Sequence, residues 1–149
     1  MTENSRRGTT PLNPREVSIS LLQPAGLVHS PAFSHVAVLP AGATQILIGG
    51  QNAVDEQGSL VGGNDFVAQV EQVMANLKVA LAAAGATITD LVSISLAVVD
   101  GTDLRAGYAA AAAHLSGNQP PPLITAAFVS GLGVPGALLE LSAVAAKLP

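Results

Sequence analysis

Residues 65–99 read D-F-V-A-Q-V-E-Q-V-M-A-N-L-K-V-A-L-A-A-A-G-A-T-I-T-D-L-V-S-I-S-L-A-V-V, and the change of period inside this stretch sets the fold class. In its first part Phe66, Val70, Val73, Leu77 and Leu81 recur at spacings of three and four. That spacing predicts a helix over Asp65–Ala84 with one apolar stripe. Asn64 or Asp65 caps its start, and Gly85 stands where a left-handed residue closes a helix. From Leu91 to Val99 the period falls to two. Val92, Ile94, Leu96 and Val98 face one way, while Ser93, Ser95 and Ala97 face the other, as in a strand.

The same reading extends in both directions. Upstream, Thr44–Gly50, Ser34–Leu39 and Val17–Leu22 alternate as strands. Pro40-Ala41-Gly42 and a loop marked by Pro24, Gly26 and Pro31 separate them. The connections are short, which predicts an antiparallel meander of three strands. A polar, Gly-rich loop, Gln51–Gly63, leads to the helix. Downstream, Thr102 or Asp103 opens an Ala-rich helix running to about Leu115, and Leu123–Val129 and Leu138–Ala145 are the last strands. The order is βββαβαββ, without repeats at solenoid periods. Two helices cover one face of such a sheet. The small residues of the other face suit either close packing against a neighbouring copy or a half-solvated antiparallel surface. Met1–Pro14 reads as a disordered leader before a single domain over 15–149.

Composition narrows the function classes. The 149 residues suit one domain with a real core, and zero Cys excludes disulfides, thiolate metal sites and a thiol nucleophile. Ten acidic residues against six basic ones, net charge -4, argue against broad binding to a phosphate backbone. Charged residues are only 11% of the chain, against about a quarter in an ordinary globular domain. Such a surface suits a homo-oligomer. No stretch is apolar enough to span a bilayer and no signal-peptide core is present, so a cytoplasmic, membrane-free protein is expected.

Few residues carry chemistry. His29, His35 and His114 form no i, i+4 pair and have no carboxylate close in sequence, so no metal is expected. There is neither a G-x-S-x-G elbow nor a Gly-rich phosphate loop. Glu140 stands out because it interrupts the apolar strand L-L-E-L-S-A-V-A-A, on the face shared with Leu138 and Ser142. Two readings apply: an edge-strand charge turned to water, or a general acid/base at the mouth of a cleft.

Five segments in order resemble one family. They are S-P-A-F-S-H-V-A-V (Ser30–Val38), I-G-G-Q (Ile48–Gln51), D-x-x-x-Q with N-L (Asp65–Gln69, Asn76-Leu77), G-A-T-x-x-D-L-V (Gly85–Val92) and L-x-x-P-G-x-L-L-E-L (Leu132–Leu141). Together they are similar to the YjgF/RidA (reactive intermediate deaminase) family, also called endoribonuclease L-PSP, over about Val28–Ala146. The resemblance implies a chorismate mutase-like α+β fold. It also implies a homotrimer around a central barrel, with a small-molecule cleft at each subunit interface and no cofactor. Members with the full site hydrolyse enamines and imines of 2-amino acids. An Arg in a P-A-R-[ST] motif clamps the substrate carboxylate, and a Glu positions water.

Here that motif reads Pro122, Leu123, Ile124, Thr125, so Ile124 stands at the Arg position. A branched hydrocarbon offers a carboxylate no hydrogen bonds, so the standard deaminase reaction is not expected. By the resemblance Glu140 is the catalytic acid/base. Phe33, Gly50, Gln51, Tyr108, Ile124 and Thr125 line the cleft, with Tyr108 at a position often Asn. Three functions remain in view: hydrolysis of a small non-carboxylate imine, enamine or carbamate-like metabolite, metabolite binding without chemistry, and an endoribonuclease or translation-inhibitor role, which the acidic balance disfavours.

Overall fold

The structure is a computed structural model that describes residues 17–149; the expected leader, Met1–Pro14, lies outside them. Six strands and two helices follow the predicted order. They are β1 (Ser20–Leu22), β2 (Val36–Val38), β3 (Thr44–Gln51), α1 (Phe66–Ala83), β4 (Leu91–Val99), α2 (Leu104–Leu115), β5 (Leu123–Val129) and β6 (Leu139–Lys147). A short 3-10 turn, Ile88–Asp90, precedes β4. Caps set the helix starts. Asp65 accepts from the Ala68 amide before α1, and Asp103 accepts from the Arg105 amide before α2.

The sheet departs from the expected meander. β1 and β2 pair with each other, but β3 pairs with β6, giving a four-stranded order β3-β6-β4-β5 in which only β4 and β5 run parallel. Short connections suggested that β3 would follow β2. The long, apolar β6 instead offers β3 six residue pairings, from Thr44 against Lys147 to Gln51 against Leu141. The β1–β2 ribbon meets the main sheet at the opposite edge, where Ser34 bridges Leu123 and its amide donates to the Pro122 carbonyl at 3.1 Å.

Both helices lie on one face. Val70, Val73, Met74, Leu77 and Leu81 of α1 are buried against Ile94, Val98, Leu139, Leu141 and Ala143 of the sheet. Burial of such side chains stabilises the fold by about 1.5–3 kcal/mol each. α2 packs chiefly on α1. Buried Gly107 takes the edge of Phe66, whose Cδ1 would lie 2.8 Å from a Cβ at that position. The opposite face of the sheet is largely exposed and carries Leu47, Ser95, Thr125 and Ala127.

Three side-chain amides, Gln69 buried and Asn52 and Asn76 half-buried, hold the loops that flank this sheet. Gln69 is fully buried. It donates to the carbonyls of Gly63 (2.6 Å) and Gly136 (3.0 Å) and accepts from the Leu138 amide (2.8 Å). Asn76 donates to the carbonyls of Asn52 and Val54, and Asn52 donates to Leu139. Buried polar groups are costly unless paired, and these pairings fix the turn after β3 and the start of β6. Gln69 and Asn76 are residues of the D-x-x-x-Q and N-L motifs.

Candidate functional site

β6 carries Glu140 between two core residues, Leu139 and Leu141, so the carboxylate points to the face away from the helices. Its neighbour across the ladder is Ala97, and Ala97 in turn faces Ala127. The register between β3 and β6 shifts between Ile48 and Gln51, a bulge at the Gly-Gly pair. The bulge brings Gly50 directly beneath the Glu140 side chain. A Cβ on Gly50 would stand 2.6 Å from Oε1 and 2.7 Å from Cδ. Glu140 is half-buried, and the single ion pair among the described residues, His114 with Glu71 at 2.7 Å, does not involve it. Gln51 is next along, its amide nitrogen donating to the Gly49 carbonyl.

Ile124 has the other parity. It pairs with Ile94, which pairs with Ala143, and all three face the helices. Ile124 lines a cavity of about 280 Å³ between α2 and the sheet, together with Tyr108 and the loop residues Pro31, Ala32 and Asn118. Tyr108 is 58% exposed and stands at the rim.

The structure therefore divides the predicted residues into two groups. Glu140 and Gly50 meet on the outer face, and Ile124 and Tyr108 gather in the cavity; Gln51, opposite Leu141, has the parity of the helix face and joins neither. Thr125 is exposed on the outer face of β5, and Phe33 packs edge-on to His35 with ring centroids 5.4 Å apart. Within one chain Ile124 and Glu140 point to opposite sides of the sheet. Only contact between copies could bring both to one ligand.

Several cavity residues were not singled out by the sequence. Phe66 reads there simply as helix stripe. Asn118 follows Gly117 in a loop, and a polar residue just past an Ala-rich helix was the available signal. No group of three or more His, Asp or Glu able to hold a metal occurs among the described residues, and no described helix is long and apolar enough to cross a membrane.

Comparison with known proteins agrees with the fold and with the resemblance in sequence. The family model described as Endoribonuclease L-PSP matches residues 27–147. Among solved structures, the Rid family protein YyfB from Yersinia pestis is 31% identical with a TM-score of 0.76, over 87% of this chain and 98% of that one. RidA from an Antarctic Psychrobacter is 28% identical with a TM-score of 0.62, over 78% and 94%. The Escherichia coli YjgF product is 26% identical with a TM-score of 0.62, over 69% and 80%. None of the curated proteins matches the chain. The match across nearly all the described residues, with the shared α+β fold, places this chain in the YjgF/RidA family of endoribonuclease L-PSP proteins.

Proposed function

We propose that the chain forms a homotrimer whose subunit interfaces bring Glu140 of one copy toward the Ile124–Tyr108 cavity of the next. The crevice so formed hydrolyses a small metabolite that lacks a carboxylate. The observation that carries this reading is the placement of Ile124 in a hydrocarbon-lined cavity; the resemblance in sequence sets this residue against the Arg of the family deaminases. A cavity without a cation gives an anion no compensation for leaving water, while a neutral imine or carbamate enters at little cost. The low charge content and the exposed Leu47, Phe128 and Tyr108 support burial of surface between copies.

The chemistry is that of imine hydrolysis. Glu140 takes a proton from water as the oxygen adds to the C=N carbon. The nitrogen accepts protons, the C–N bond breaks, and a carbonyl compound and ammonia or an amine leave. General-base catalysis of this kind contributes roughly 10²–10⁴-fold. A second reading, binding without turnover, draws on the fact that Glu140 has no hydrogen-bond partner among the described residues that would hold it in a productive orientation. RNA is disfavoured by the net charge of -4.

The test is amine release from neutral imines by the purified protein and by Glu140→Gln, with light scattering on both. The expected result is a trimer, turnover by the native chain and a loss of about 100-fold or more in the variant. A monomer, or turnover unchanged in Glu140→Gln, rejects the proposal. Saturable binding without turnover selects the second reading.

A further inference from the structure

We infer that the cavity between α2 and the sheet is a binding chamber for a neutral, largely hydrocarbon ligand bearing one hydrogen-bond donor, of the size of a bicyclic aromatic. The inference rests on the reading that the Ile124–Tyr108 cavity receives the ligand, and it names the chemical class.

The space follows from how α2 is seated. Gly107 lets α2 ride against Phe66 and α1, while Ala111 and Ala112 present only methyl groups toward β4 and β5. The gap between them is about 280 Å³, walled by Phe66, Met74, Leu96, Leu115, Ile124 and Leu139. None of its lining residues carries a charge; Tyr108 at the rim is its sole titratable group. An apolar cavity of roughly 150 Å³ stays dry and accepts benzene, so this larger one accommodates two fused rings.

Ser116, Asn118 and Gln119 line the loop end, and of these only Asn118 is buried. Asn118 is 5% exposed and lines the cavity; its Nδ2 donates to the Ile88 carbonyl at 2.7 Å, and its Oδ1 has no hydrogen-bond partner among the described residues. A buried acceptor left unpaired is costly. A ligand N–H or O–H at that end supplies the missing donor after a small local adjustment. A ligand carboxylate, by contrast, meets another acceptor and no cation.

Indole and indole-3-acetate are the probes, measured by calorimetry on the full chain and on Ala111→Phe, whose ring occupies the chamber. Indole is expected to bind once per chain, and indole-3-acetate at least tenfold more weakly. Ala111→Phe lowers the indole affinity at least tenfold. Should Ala111→Phe fail to fold, methyl NMR shifts of Leu96, Leu115 and Ile124 on adding indole to the native chain locate the site. No indole binding, equal binding of the two probes, undiminished binding by Ala111→Phe, or shifts elsewhere than these methyls overturns the inference. Indole binding without imine turnover leaves the chamber standing and rejects the hydrolytic reading. Imine turnover without indole binding does the reverse.

Discussion

The two faces of the four-stranded sheet use a glycine in the same way for different ends. On the helix face Gly107 admits the ring of Phe66, and the contact seats α2 on α1. On the outer face Gly50 admits the carboxylate arm of Glu140. The first neighbour is a stiff ring packed against the core; the second is the far end of a flexible chain beside solvent. An identical change of one hydrogen to a methyl group therefore tests packing in one place and positioning in the other. The chain's polar groups divide along the same line, with buried Gln69 and the core on one side and Glu140 on the other.

The helix face should show the largest effect. Leu77 is fully buried between α1 and the sheet, so Leu77→Ala is expected to lower stability by about 2–5 kcal/mol in urea unfolding. A loss below about 1 kcal/mol would mean that this side collapses around deletions, and the contrast between faces would vanish. Next comes Gly107→Ala. A methyl there overlaps Phe66, and overpacking costs about 1–3 kcal/mol. Removing a helix glycine returns about 1 kcal/mol, so the net expectation is a loss of up to about 2 kcal/mol. A gain in stability would show that the Phe66 ring turns freely into the neighbouring cavity, which would also shrink the proposed chamber.

How far the sequence reveals these two faces differs by element. The α1 stripe, its Asp65 cap and the alternation of β4 are local patterns, and they match the structure to within a few residues. The partner of β3 was not legible, because pairing with β6 joins residues nearly a hundred positions apart and no local rule ranks it against the nearer β2. The same limit hid the layout of the site. Parity along one strand is readable, and it places Glu140 with Leu138 and Ser142. Comparing the parity of Ile124 with that of Glu140 requires the register of three strands. The chamber was invisible for another reason: an Ala-rich helix looks the same in sequence whether it lies tight on a sheet or leans on its neighbour.

Gly50→Ala should have the smallest effect on stability and the most informative effect on function. Gly50 is not among the left-handed glycines, so an alanine there meets no backbone penalty. Its methyl would fall 2.6 Å from Glu140 Oε1, but the carboxylate can swing into solvent. Unfolding free energy is then expected to change by no more than about 0.5 kcal/mol, as at ordinary surface positions. Displacing a catalytic group by about 1 Å can cost roughly 100-fold, so amine release should fall by at least tenfold if Glu140 acts from this spot. The decisive comparison is the double-mutant cycle with Glu140→Ala, in which the alanine at position 50 should have no further effect on rate. An equal rate loss with and without Glu140 would mean that the bulge shapes the strand edge and does not aim the acid. A stability loss as large as that of Gly107→Ala would mean that the carboxylate is held as firmly as the Phe66 ring, and the two faces would then be built alike.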